Sequence, residues 1–349
     1  MNAIVFHGQN DIRLEQRSRP NPGAGEVRLR VLLAGICMTD WHILQGHFAV
    51  PAPRVLGHEL VGVVDALGLG VGDAWLGREV AVNPATFCGG CSHCRAGRAE
   101  LCQNFECLGN TADGGFADYT LARAEQLIPL DGMPAEQAVW LEPLACVIHA
   151  LQVADADDAS AVLVMGAGTL GKLMVQTLQA TTKAAIAVVD PNLDKVQQAM
   201  AMGAEAGWTA PRTGPAPEVR QAFQAWTGTS QPLLLIDTTG QPQAIERILD
   251  WAGPGDQVLL FGVSDPAAQI AVSPGLIFTK ALTIRAAAGM TATALAAAHT
   301  LLRRGQLNTA ALVWQTVTLA QAPALLRQMG HGSQGKILIR PDRRGAAAP

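Results

Sequence analysis

Ala161-Val162-Leu163-Val164-Met165-Gly166-Ala167-Gly168-Thr169-Leu170-Gly171 decides the fold. Its first five residues form a continuous apolar run, the pattern of a strand buried on both faces. The remainder is a G-x-G-x-x-G set, followed by a stretch from Lys172 to Ala180 that reads as a helix. At such a junction the first glycine makes a tight turn and the second lets the backbone approach a pyrophosphate. The third lets helix and strand pack closely, and the helix N-terminus favours the anion. Gly166, Gly168 and Gly171, with Thr169 and Leu170 between them, are therefore candidate dinucleotide contacts. Alone, the motif is also what any glycine-rich turn looks like. Here a second apolar run, Ile186 to Val189, ends in Asp190, about twenty residues on, where an acid binds the adenosine ribose diol. The same carboxylate would repel a 2′-phosphate, and Pro191 and Asn192 follow it instead of an arginine, so NAD is expected over NADP. Lys195 is placed to reach that ribose, with a solvated helix charge as the equal alternative.

Outward from this junction the pattern repeats. Leu233 to Asp237 and Val258 to Phe261 are further buried-strand runs, with helical segments such as Leu193 to Met202 between them, and Leu282 to Arg285 closes the series. Strand alternating with helix implies a parallel, doubly wound sheet. Before about residue 145 the character differs. Val27 to Val31 alternates apolar with charged, and Leu60 to Val64, Val80 to Val82 and Phe116 to Leu121 are short strand candidates divided by Gly, Pro and Asn-rich turns. That spacing suggests a barrel-like β domain. After the doubly wound part come an alanine-rich helix around Ala292 to Arg304, a strand near Ile337 to Ile339, and an end, Ala346 to Pro349, expected to fray.

At 349 residues the chain has room for two domains with separate cores. A net charge of −4 on sparse charged residues excludes a nucleic-acid surface, and pairs such as Arg303-Arg304 and Arg343-Arg344 read as solvated faces. The first residues lack a basic stretch leading into an apolar run, so no signal peptide is expected, and no apolar segment is long enough to cross a bilayer. Cysteines at metal spacing without a secretion signal fit a reducing cytoplasm.

Four of the seven cysteines fall in one Gly-rich stretch, Cys88-x2-Cys91-x2-Cys94-x7-Cys102. Short Cys-x2-Cys steps let four thiolates surround one tetrahedral zinc, and a site closed by four sulfurs is structural, with no open position for chemistry. A reactive metal therefore needs other donors. Cys37, Thr39 and His42 sit in one turn-like segment; Gly57-His58-Glu59 supplies an imidazole and a carboxylate; Glu142 is an acid among apolar neighbours. Cys37, His58 and one of Glu59 or Glu142 would make three protein ligands with a fourth position open, the arrangement of catalytic zinc. Taken singly, each is better explained as a core cysteine, a hydrogen-bonded histidine or a surface acid.

Together these features resemble the zinc-dependent medium-chain alcohol dehydrogenases over essentially the full length. Gly57-His58-Glu59-x2-Gly62-x5-Gly68-x2-Val71 matches that family's zinc signature without a gap, and the cysteine lobe and the glycine turn follow in order. The resemblance implies an α/β protein: a GroES-like β-barrel catalytic domain over 1–146, with a structural zinc lobe near 84–106, a doubly wound Rossmann NAD-binding domain over 147–286, and a segment 287–349 returning to the first domain. Glu142-Pro143-Leu144 resembles the polyol or sorbitol dehydrogenase branch. By that resemblance Cys37 and His58 bind catalytic zinc with Glu59 and Glu142 as direct, alternating or water-bridged partners, and Cys88, Cys91, Cys94 and Cys102 bind the second ion. Thr39 and His42 then stand where the family has a proton relay. Gly289-Met290 replaces the Arg-Tyr pair of many polyol dehydrogenases, which argues against sorbitol itself, and Met38 replaces a glycine after the ligand cysteine. Trp41, Phe48, Phe116 and Met290 are candidates for the pocket lining. The expected activity is reversible oxidation of a secondary alcohol (a polyol, sugar alcohol or diol) to a ketone with NAD, in a homodimer or homotetramer. Rival readings are a primary alcohol dehydrogenase, a zinc-independent quinone or enoyl reductase, which would lack both zinc sites, and a non-catalytic NAD-binding sensor or scaffold.

Overall fold

A computed structural model describes residues 1–228, 233–329 and 334–342. The Arg343-Arg344 pair and the 346–349 end lie outside the described residues. The chain divides into two compact units, one of Met1–Pro143 with Ala298–Arg303 and the residues from Thr309 onward, the other of Leu144–Ala297 with Arg304–Asn308.

The first unit is built on a seven-stranded sheet. Along it run Leu127–Pro129, Glu79–Val82, Glu59–Leu67, Glu26–Gly35, Lys336–Ile339 and Val313–Val317, and Tyr119–Arg123 also pairs with Glu26–Gly35. Val27, Leu29, Val31 and Leu33 are buried while Arg28 and Arg30 between them are not, so alternation sets which face enters the core. Each such side chain contributes about 1.5–3 kcal/mol by leaving water. A three-stranded sheet, Asp11–Gln16, Asn2–Gly8 and Arg54–Val55, adds Ile4, Val5 and Ile12 to the same core. These two N-terminal strands were not anticipated from the sequence. Lys336–Ile339 pairs with the end of Glu26–Gly35, which ties the last part of the chain into this unit.

In the second unit all six strands are parallel, in the order Ala206–Thr209, Ala185–Asp190, Ala161–Met165, Leu233–Asp237, Gln257–Leu260 and Thr283–Ala286. Ala161–Met165 and Leu233–Asp237 are buried at every position, as continuous apolar runs require. The order changes direction at Ala161–Met165, the strand that feeds the glycine turn, and that is where doubly wound sheets bind ligands.

Two local readings are corrected. The strand expected at Phe116 to Leu121 runs Tyr119–Arg123, because Phe116 and Ala117 are fully buried ahead of it, Ala117 in a lone bridge to Ala3. The segment after Cys37 is a helix, Met38–Leu44, and not a turn. Among the described residues no helix is long and apolar enough to cross a membrane.

Candidate active site

The helix Met38–Leu44 begins on an unusual cap. Cys37 occupies the position usually held by Ser, Thr, Asp or Asn: its Sγ accepts from Thr39 N at 3.5 Å, and its own N–H donates to Asp40 Oδ2 at 2.8 Å. The cap fixes the thiol and places the Thr39 hydroxyl 3.5 Å from Cys37 Sγ. Asp40 is fully buried, and its other oxygen lies 3.8 Å from His58 Nδ1.

His58 follows Gly57, whose φ of +94° admits the chain to the strand Glu59–Leu67; a side chain there would strike the Phe116 ring at 2.3 Å. Phe116, fully buried, therefore supports this turn from inside the core. One ligand atom from each of Cys37, His58 and Glu59 comes within 4.8 Å of the others. Glu59 is 1 % exposed; its Oε1 accepts from Lys336 Nζ at 2.5 Å, while Oε2 is buried with no hydrogen-bond partner among the described residues. Gly35 opposite is the space Oε2 occupies, since a Cβ there would lie 2.1 Å away. Burial alone would lower the His58 pKa, yet the Cys37 sulfur, through its electrostatic pull and as hydrogen-bond partner, with Asp40 and Glu142 behind it, raises it well above its ordinary value. A buried imidazole so biased, beside an orphaned carboxylate oxygen, marks an anionic site that needs a cation. The donor set, one sulfur, one nitrogen and one oxygen, fits zinc. Glu142, in the first turn of the helix Leu141–Val153, acts on His58 and Lys336 through its charge but is not among the three converging donors.

Lys336 escaped sequence reasoning. It is 6 % exposed, bonds Ile36 O at 3.2 Å as well as Glu59, and sits over the Trp140 ring. Its one sequence signal was a cation opening the apolar run Lys336-Ile337-Leu338-Ile339, because a buried ammonium demands an anion somewhere.

The second donor group comprises Cys88, Cys91, Cys94 and Cys102, again with ligand atoms within 4.8 Å. Backbone N–H groups point at sulfur: Cys88 N to Cys102 Sγ at 3.3 Å, Cys91 N to Cys88 Sγ at 3.3 Å and Cys94 N to Cys91 Sγ at 3.5 Å. Such donors, from Gly90 and Cys91, hold Cys88 down to about 6, whereas burial and the neighbouring cysteines push Cys94 up to about 12. Four thiolates cannot share this volume without a cation, and four sulfurs around one point fit zinc. Cys107, outside the group, is pushed up to about 11 by burial and stays a thiol.

In the second unit the three glycines divide their work. A Cβ on Gly166 (φ +103°) would meet the side chains of Thr238 and Thr239 at 2.7 Å, and one on Gly171 would lie 1.8 Å from Gly166 O. Among the described residues, nothing beyond its chain neighbours lies within 4 Å of a Cβ on Gly168, which leaves the backbone open toward a ligand. Thr169 and Leu170 begin the helix Thr169–Thr181, whose N-terminal N–H groups fit a pyrophosphate. Asp190 Oδ2 accepts from Ala167 N at 2.8 Å and Oδ1 from Asn192 N at 2.9 Å. It thus braces the glycine turn, with lone pairs left for hydroxyl donors. Lys195 lies in the first turn of the helix Leu193–Ala201, which Asn192 caps. Lys172, unremarked in the sequence, is buried with Nζ on Gln198 Oε1 at 2.7 Å.

Residues 23–132 match the alcohol dehydrogenase GroES-like domain and residues 169–304 the zinc-binding dehydrogenase domain. Starvation-sensing protein RspB of Escherichia coli (strain K12) is 34 % identical over 77 % of this chain and 79 % of its own. The chain belongs to the zinc-dependent medium-chain alcohol dehydrogenase family. Galactitol 1-phosphate 5-dehydrogenase of Escherichia coli (strain K12) is 30 % identical over 75 % of each chain, which places this oxidoreductase in the polyol branch. A crystal structure of rspB from E. coli CFT073 complexed with NADH superposes with a TM-score of 0.87 at 30 % identity, covering 97 % of this chain and 99 % of that one. The expected pairing of a GroES-like domain with a Rossmann-type domain is borne out, and the zinc-independent alternative falls.

Proposed function

We propose that the enzyme reversibly oxidises a secondary alcohol of the polyol, sugar-alcohol or diol class to a ketone, with NAD as hydride acceptor and two zinc ions per chain. The observation that carries this reading is the convergence of Cys37, His58 and Glu59 around a carboxylate oxygen that has no other partner. When bound, zinc at these donors supplies Lewis acidity toward an alcohol oxygen, and NAD supplies the hydride acceptor. Cys37 and His58 are the fixed ligands. Glu59, through Oε2, would be the third donor, with Glu142 as its direct, alternating or water-bridged partner. Cys88, Cys91, Cys94 and Cys102 hold the structural ion.

Thr39, held beside Cys37 by the cap, takes the proton that the alcohol gives up, and His42, one turn later on the same helix face, is a later member of the same relay. In the Rossmann unit Gly166, Gly168, Thr169, Leu170 and Gly171 seat the pyrophosphate, while Asp190 and Lys195 hold the adenosine ribose. Asp190 supports NAD over NADP, because a phosphate beside that carboxylate would meet like charge. Relatives named for galactitol 1-phosphate, D-arabinitol and D-altritol support a polyhydroxylated substrate. Gly289-Met290 in place of an Arg-Tyr pair weighs against sorbitol. We further propose a cytoplasmic homodimer or homotetramer, in keeping with seven cysteines none of which is in a disulfide.

The test is NADH formation with a panel of polyols, diols and primary alcohols, with and without a chelator, alongside zinc analysis. Secondary-alcohol turnover that the chelator abolishes, with two zinc ions per chain, supports the reading. NAD binding without turnover of any alcohol overturns it.

A further inference from the structure

The glycine turn ahead of the helix Thr169–Thr181 is held from two sides. On one side Asp190 Oδ2 takes the Ala167 N–H. On the other stands Thr238, the first residue after the strand Leu233–Asp237 and part of no motif read from the sequence. Its Oγ1 lies 3.0 Å from Met165 O and 3.0 Å from Gly166 O, and its N–H donates to Met165 O at 3.0 Å. A hydroxyl has one hydrogen, so the two carbonyls share it. The same oxygen bears on two of the three glycines: a Cβ on Gly166 would lie 2.7 Å from it, and one on Gly171 3.1 Å. The first and third glycines thus close around the Thr238 hydroxyl. That hydroxyl is itself fixed. Asp237, 0 % exposed, accepts from Thr239 N at 3.0 Å and Thr239 Oγ1 at 2.6 Å on one oxygen, and from Gly240 N at 3.0 Å on the other. Behind this loop a Cβ on Gly240 would meet Val263 O at 2.1 Å, so the segment 237–240 has no room to slide.

We propose that Thr238 is a positioning residue for the cofactor: its hydroxyl sets the carbonyls of Met165 and Gly166, so that the turn is formed before a pyrophosphate arrives. This deepens, and rests on, the dinucleotide reading of the turn given above. Thr238 acts through the turn and needs no contact with the cofactor. With the hydroxyl gone, Gly166 O loses that donor and the turn gains other geometries. Binding must then offset the cost of ordering it, which lowers affinity without touching the chemical step.

The test is NADH titration of the full-length protein by fluorescence, with the unfolding temperature of the cofactor-free protein measured alongside. Thr238→Val keeps the shape and removes the oxygen. It should raise the NADH dissociation constant about tenfold, the effect of leaving a buried acceptor without its donor. KM for NAD should rise with it, while kcat at saturating NAD stays within about twofold. Thr238→Ser keeps the hydroxyl and should bind NADH as the wild type does, which also keeps the proposal testable should Thr238→Val fail to fold. Ser264→Ala removes a comparable bond, Oγ to Gly240 O at 2.8 Å, from the neighbouring loop and leaves the turn alone. It should lower the unfolding temperature and leave the affinity unchanged. Wild-type affinity in Thr238→Val, lost affinity in Thr238→Ser, or a loss in Ser264→Ala as large as in Thr238→Val overturns the proposal while the dinucleotide reading stands. Wild-type protein that binds no NADH overturns both.

Discussion

Replacing Lys336 by Met tests the Glu59 site most directly. The substitution keeps most of the aliphatic stem and removes the ammonium, so no cavity opens. What changes is electrostatic. Glu59 Oε1 loses its 2.5 Å partner, and Oε2 already has none, so a carboxylate 1 % exposed is left with neither oxygen satisfied; Ile36 O loses its 3.2 Å donor as well. Removing one member of a buried ion pair costs about 3–5 kcal/mol, whereas replacing both members by neutral groups is often close to neutral. Metal-free Lys336→Met should therefore lose about 3–5 kcal/mol in urea unfolding, followed by tryptophan fluorescence because Trp140 lies against the ammonium. The double variant Glu59→Gln, Lys336→Met should recover most of that loss. Zinc should shrink the deficit of the single variant, since the cation takes over the charge balance at Oε2. A loss below about 1 kcal/mol, or a double variant no more stable than the single, would refute the view that the Lys336 ammonium holds the Glu59 carboxylate in place.

Gly171→Ala puts a methyl 1.8 Å from Gly166 O, so helix and strand must separate; about 1–3 kcal/mol of stability and most NAD affinity should go, read by thermal shift and cofactor titration. Cys102→Ser should leave one zinc ion per chain by elemental analysis and lower the unfolding temperature, because a structural metal contributes folding free energy. Thr39→Val should cut turnover by about 10²-fold or more with both zinc ions retained, and unchanged turnover would remove Thr39 from the relay.

The parts legible in the sequence share one property: their cause is local. Ala161–Met165 and Leu233–Asp237 were read to the residue because an unbroken apolar run has one stable solution in a doubly wound sheet. The cysteine lobe was legible because its ligands are consecutive in sequence. Cys37, His58 and Glu59 were anticipated as ligand candidates, and folding brings them together. What escaped depends on distance along the chain or on an atypical residue. Lys336 meets Glu59 across 277 residues, and no local pattern carries that pairing. The helix Met38–Leu44 is too short for a 3.6-residue period to show, and its cap is a cysteine. Phe116 read as strand from its type, whereas its place is set by the bare face of Gly57.

A sulfur that both caps a helix and stands among three converging donors couples two tasks in one residue. From Cys37 to His47 runs one cassette of eleven positions: under the proposed function its first residue is a donor to the ion and its middle handles protons, and the glycine turn at its end sets His47 against His42. Altering the sulfur would re-aim everything downstream of it, so efforts to exchange the metal should redesign that cassette as a block.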